Sequence, residues 1–182
     1  AELQSLTLFG PVVPVGGKPA EDPARGAWFA QDAMARLERL HFKDVLPAGM
    51  SLLEPTVDRR WAKEFVAANL HVATDPPDTV RVPEGPGRDI DEAQAGVYPY
   101  IAGNVRVPVF VVYGSFDSLV NTAQASTSLA RFTGSPMRWQ LQIDDGTHVM
   151  HLERNRRSLY ESVAAFIAAV EAHERYASRP TP

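Results

Sequence analysis

Hydrophobic and polar positions recur with two different periods along this chain, and the period changes near Val105. Leu3 to Phe9 alternates and then fills with apolar, β-compatible residues before Gly10-Pro11, which predicts a short buried strand and a stop. Pro11 to Pro23 is rich in proline and glycine and predicts a loop. From Ala27 to Val45, Trp28, Phe29, Ala33, Leu37, Leu40 and Phe42 recur at helical spacing among Asp, Arg and Glu. A first amphipathic helix is expected there, closed by Pro47 and Gly49. Pro55 stands where the first turn of a second helix tolerates it, with Val57, Trp61, Phe65, Val66 and Leu70 along one face. Residues 75–89 carry Pro76, Pro77, Pro83, Gly85, Pro86 and Gly87 and predict a second loop, followed by a weaker helical piece from Asp91 to Tyr98.

The pattern then becomes continuous. Val105 to Tyr113 reads V-R-V-P-V-F-V-V-Y, apolar and β-branched, with its proline near the start where a strand can bear one. Such a run predicts a strand of a parallel sheet covered on both faces. Asn121 or Thr122 can cap a helix to about Phe132, and Met137 to Ile143 predicts another strand. Arg157 to His173 predicts a last helix with Leu159, Val163, Phe166, Ile167 and Val170 as its stripe, and 174–182 reads as a frayed tail. The expected order is strand, mostly helical insertion, strand, helix, strand, helix. That is an α/β fold with parallel strands joined by right-handed βαβ units. A core strand is expected in residues 1–10, a helical cap or lid in 11–104, and the rest of the core in 105–173.

Composition narrows the function classes. With 45% hydrophobic and 22% charged residues, the 182-residue chain has the make-up of a soluble globular protein, one domain or part of a larger one. A net charge of -4 gives no electrostatic footprint for nucleic acid, so no nucleic-acid partner is expected. No stretch approaches the roughly 20 apolar residues that span a bilayer. The absence of cysteine removes disulfide and thiolate chemistry. Residues 1–20 lack the order of a secretory signal, and a cytoplasmic setting is the expectation.

Two loops carry candidate chemistry. Gly114-Ser115-Phe116-Asp117 directly follows the strand ending at Tyr113, and Asp144-Asp145-Gly146-Thr147-His148 directly follows the strand ending at Ile143. Functional groups of open parallel sheets gather outside the carboxyl ends of the strands, so both loops belong on one edge. An Asp there can accept from Nδ1–H of a neighbouring His, fixing its tautomer and stabilising the imidazolium formed when Nε2 takes a proton. A lone Asp after a strand is more often a turn or capping residue, and a lone His is more often structural. Matching strand-end positions, in the order Asp then His, favour the functional reading.

The run Val107-Pro108-Val109-Phe110-Val111-Val112-Tyr113-Gly114-Ser115-Phe116-Asp117 resembles the strand and acid loop of the α/β-hydrolase superfamily, where V-P-x-apolar leads into G-x-x-D. Gly146-Thr147-His148-Val149-Met150-His151-Leu152-Glu153 resembles its histidine loop, commonly G-H-x-x-H-x-E, with Thr147 where a glycine often precedes the histidine. Leu6-Thr7-Leu8-Phe9-Gly10-Pro11 resembles the sixth strand, after which capped members insert their lid. The resemblance covers 105–170 most specifically and 1–12 fairly; for the cap it is positional. It implies the last three parallel strands of a hydrolase sheet, with Asp117 and His148 as acid and base of a catalytic triad.

The family's nucleophile lies in G-x-S-x-G, and no serine here has that setting. Ser51 precedes Leu52-Leu53, Ser115 lies inside the acid loop, and Ser135 precedes Pro136. The resemblance therefore implies an N-terminal segment or separate chain that carries the nucleophile and oxyanion hole and covers the free edge of the first strand. The implied activity is that of a serine hydrolase of the esterase, thioesterase or amidase kind. A haloalkane dehalogenase or epoxide hydrolase with an aspartate nucleophile, a carbon–carbon bond hydrolase or lyase, and a non-catalytic binding relative stay open.

The cap's Trp28, Phe29, Trp61 and Phe65 would line an apolar pocket, implying a small-molecule substrate with an apolar portion; each can equally hold cap to core. His151 and Glu153 fall on a strand-to-helix loop with no third ligand pattern, so no metal or other cofactor is expected, and both are read as supports of the histidine loop. His41 and His71 read as surface or interface residues. Arg154, Arg156 and Arg157 near a helix start oppose its dipole and read as solvated, an acidic partner being the other explanation.

Overall fold

A computed structural model describes residues 3–16, 26–41, 46–70 and 75–177. The core is a three-stranded parallel sheet in the order β1-β4-β5, formed by β1 (Leu6–Phe9), β4 (Val109–Gly114) and β5 (Arg138–Ile143). Leu6 stands opposite Val109 and Val109 opposite Arg138, so the carboxyl ends of all three strands lie on one edge. Pro108 immediately precedes β4, and its carbonyl accepts from Leu6 N–H at 2.9 Å. A residue with no N–H to give thus still serves the ladder.

Every residue of β4 is buried, as the continuous apolar run predicts. Strand periodicity divides them between two cores. Val109, Val111 and Tyr113 pack with Val13, Ala102, Ala125, Leu129 and Phe132 on one face. Phe110 and Val112 pack with Ile143, Met150, Leu159, Phe166 and Val170 on the other. Each fully buried side chain of this size contributes about 1.5–3 kcal/mol relative to exposure. Helix α4 (Thr122–Ala130) supplies the first face. Its N-cap is Asn121: Oδ1 accepts from Gln124 N–H at 3.0 Å, and Gln124 Oε1 accepts in return from Asn121 N–H at 3.0 Å.

Helix α5 (Arg156–Ala177) supplies the second face. Leu159, Phe166 and Val170 are buried and Val163 packs against them, whereas Ile167 is exposed. Ile167 lies one step around the helix from Phe166, beyond the flank of the stripe. The helix runs on through 174–177, part of the expected tail, and 178–182 lie outside the described residues.

The insertion departs from the expected helices in one respect. Trp28–Asp32 forms a strand, β2, antiparallel to β3 (Thr79–Pro83), with Phe29 opposite Val82 and Gln31 opposite Val80. A helix from Ala27 and a loop over 75–89 are both corrected by this pairing. Helix α1 (Ala33–His41) begins only after β2, and positions 42–45 and His71 fall outside the described residues. Helix α2 (Val57–Ala68) starts after Thr56, leaving Pro55 before its cap rather than in its first turn, and Leu70 is exposed beyond its end. Helix α3 (Gly85–Gln94) lies earlier than the expected Asp91–Tyr98 piece, with proline in its first turn. No described helix is long and apolar enough to cross a membrane.

Candidate active site

Asp117 and His148 meet at the carboxyl edge of the sheet: Nδ1 of His148 lies 3.1 Å from Oδ2 of Asp117. A carboxylate oxygen can only accept, so Nδ1 carries the hydrogen and Nε2 is the basic nitrogen of the neutral ring. The carboxylate is fully buried and the imidazole side chain is 23% exposed. Oδ1 of Asp117 accepts from the backbone N–H of Leu119 at 2.8 Å and of Val120 at 3.2 Å. Buried and held at both oxygens, the carboxylate has one orientation, and it aims Oδ2 at the histidine.

The two loops reach each other because their glycines touch. Gly114 ends β4 where a Cβ would run into the Gly146 backbone. Phe116 N–H donates to Gly146 carbonyl at 2.8 Å, and Asp145 N–H donates to Ser115 Oγ at 3.1 Å. Ser115 is therefore part of the loop-to-loop contact. Ser135 donates instead to Met137 carbonyl at 2.7 Å.

The histidine loop has its own buried brace. Glu153 is fully buried, and Oε2 accepts from Thr147 N–H at 3.0 Å while Oε1 accepts from the Thr147 hydroxyl. A buried carboxylate requires such partners. Thr147 stands where the resembled motif often has glycine, and its hydroxyl gives Glu153 a second donor. Glu153 thus supports the loop as expected. The hydrogen-bonding support expected of both residues is seen for Glu153; His151 instead meets Phe9 edge-on at 6.0 Å between centroids, and Phe9 stacks against His148 at 6.4 Å and 17°. Though His151 is partly open to solvent, desolvation by its neighbours pushes its imidazole below the ordinary 6.5; nearby Glu153 opposes this and His148 adds to it.

A clip from the insertion holds the same loop. Leu53 bridges Glu153, Arg154 N–H donates to Leu52 carbonyl at 3.0 Å, and Arg156 pairs with Glu54 at 2.5 Å. Arg156, expected to be solvated against an unfavourable helix start, has an acidic partner after all. The pairing holds the Glu54 carboxyl below its usual 4.5.

The four aromatic residues proposed from the sequence do not share one pocket. Trp61 lines a cavity of about 360 Å³ together with Val57, Glu54, His151, Leu152 and Arg156. Phe65 stacks on Trp61 at 4.9 Å. Trp28 instead lies under the Arg81 guanidinium at 4.1 Å. Phe29 lines a separate cavity of about 410 Å³ with Val82, Pro83 and Ile90. Phe9 and Gly10, which the sequence marks only as a strand end and a stop, sit directly against His148. The signal that could have found them is their place at the same carboxyl edge.

No family model matches the chain, and no curated protein matches it. It is similar to several solved structures. One is a thioesterase domain from the curacin biosynthetic pathway, at 13% identity and a TM-score of 0.46, over 93% of this chain and 58% of that one. Another is a putative non-heme bromoperoxidase from Mycobacterium tuberculosis, at 19% identity and a TM-score of 0.42, over 92% and 59%. A third is an alpha/beta hydrolase fold protein from Nakamurella multipartita, at 17% identity and a TM-score of 0.40, over 90% and 60%. The chain thus spans about three fifths of the length of the structures it resembles.

Proposed function

We propose that this chain is the C-terminal part of an α/β-hydrolase enzyme that cleaves a carboxylic ester, thioester or amide, with the nucleophilic serine on a segment outside these residues. The observation that carries the reading is the 3.1 Å contact between a fully buried, doubly held Asp117 and His148. Strand ends that serve only as turns have no need to aim a buried carboxylate at an imidazole. In the proposed reaction the serine attacks the carbonyl, Nε2 of His148 takes its proton and returns it to the leaving group, and Asp117 orients and stabilises the imidazolium. The free edge of β1 is where the nucleophile-bearing segment would pair, since an apolar edge strand is a liability when uncovered.

Residues 11–104 act as the cap in this proposal. The cavity beside Trp61 would take the apolar part of a small-molecule substrate, because Phe9 and His151 connect it to His148 by continuous ring contact. Trp28 and Phe29 are left to the ribbon and play no part in that pocket.

The test uses the chain assembled with its nucleophile-bearing segment. Replacing His148→Ala should lower turnover by about 10⁴–10⁶-fold; full turnover in that variant would end the base assignment. Fluorophosphonate labelling followed by mapping of the adduct should find one serine outside this chain. An active assembly that takes no label would move the reading to the aspartate-nucleophile hydrolases, and an inert one to a binding protein.

A further inference from the structure

We propose that Gly10 is a positioning residue for the Asp117–His148 pair, because its missing side chain lets the tip of β1 close over their hydrogen bond. The inference rests on the reading of that pair as catalytic. Gly10 is buried, its N–H donates to Val112 carbonyl at 2.9 Å, and its φ of +50° turns the chain out of the sheet into Pro11. A Cβ on that backbone would lie 2.8 Å from both Cε1 and Nδ1 of His148 and 3.1 Å from Oδ2 of Asp117. Nδ1 and Oδ2 are the two atoms that share the proton.

A carbon at 2.8 Å is well inside van der Waals contact, so something must move. The carboxylate is fixed, since Leu119 and Val120 hold its other oxygen and its surroundings are closed. The Gly10 backbone is fixed by its ladder bond to Val112. His148, partly open to solvent, is the group that yields, and its displacement lengthens the bond to Asp117. With glycine in place, the Gly10 backbone and the Phe9 ring cover the bond, and a covered hydrogen bond is electrostatically stronger than one in water.

Gly96 provides the internal control. Its φ is +89°, so a side chain there is strained in the same way, yet nothing lies within 4 Å of where its Cβ would stand. Of these two glycines, Gly10 alone joins strain to contact with the pair.

The experiment follows the downfield Nδ1 proton of His148 by NMR in the wild-type chain and in Gly10→Ala, Gly10→Asn and Gly96→Ala. The wild type should show a slowly exchanging signal that both Gly10 variants lose and Gly96→Ala keeps. Asparagine enters the left-handed region more readily than alanine, so signal loss in a Gly10→Asn chain of native circular dichroism assigns the effect to contact rather than strain. In the assembled enzyme Gly10→Ala should lower kcat on the order of 10²-fold with KM unchanged, while Gly96→Ala keeps both. A retained signal in either folded Gly10 variant overturns the proposal. If neither variant folds, the wild-type proton decides, and rapid exchange with solvent would overturn it. The expected signals in an assembly without hydrolytic activity would end the hydrolase reading and leave the role of Gly10 standing.

Discussion

The sheet that carries Asp117 and His148 and the described part of the insertion at 11–104 differ in how they are packed. β4 is buried at all six positions and packs two separate cores, one on each face. Helix α2 has no buried residue, and β2 turns Trp28 and Phe29 outward. Among the described residues of the insertion, Ala33, Leu37, Leu52, Val80 and Ala93 are buried, and the Leu52–Glu54 clip ties it to the histidine loop. A rigid sheet fixes proton-transfer geometry to fractions of an ångström, which catalysis needs. Low packing permits local opening at small cost, so the described helix α2 should open more readily than β4.

The largest expected effect tests the precise half. In Asp117→Asn the amide oxygen can still accept from Leu119 and Val120, but its NH₂ presents a donor to His148 and selects the wrong tautomer. Turnover of the assembled enzyme should fall about 10⁴-fold while circular dichroism stays native. A fall below tenfold would show that Asp117 only caps its loop.

A paired substitution sharpens the contrast. Phe110→Ala empties a site between Trp139 and Phe166 and should cost about 3–5 kcal/mol in denaturant unfolding. Trp61→Ala removes a half-buried ring from the cavity wall and should lose far less stability, while raising KM with kcat unchanged. Equal stability losses would break the distinction between the two regions.

The smallest effect concerns the clip. Arg156 depresses the Glu54 carboxyl below 4.5, so the pair stabilises the fold above that value and loses its contribution as pH falls through the lowered one. Glu54→Gln should therefore lower Tm slightly at neutral pH, and its difference from wild type should vanish at acid pH. The two side chains are 34% and 37% exposed, and screening by solvent keeps the effect small. A difference that grew on acidification would contradict the pairing.

The candidate site was readable in part. Asp117 and His148 announce themselves because each follows a strand-forming run, continuous and apolar before Asp117 and alternating before His148, and strand ends in a parallel sheet share an edge. The helix cap was narrowed to Asn121 or Thr122, of which Asn121 serves, and of the expected last-helix stripe Leu159, Phe166 and Val170 are buried while Ile167 is exposed. Thr79-Val80-Arg81-Val82 carries a strand's alternation, but its proline-rich flanks hide it, and Trp28–Asp32 passes as the start of a helix. Neither segment can be assigned without the other, since each supplies the other's hydrogen bonds.

By itself, the sequence determined the elements whose burial repeats within a contiguous run, together with the residue types at their ends, because periodicity is a local property of the chain. Tertiary structure alone decided the β2–β3 ribbon, the division of the four aromatic residues between separate surfaces, and the ion pair joining positions 102 apart. It also decided that Gly10 lies against the Asp117–His148 pair. Each of these depends on which distant segment arrives opposite a residue, and a side chain's spacing along the chain carries no record of that.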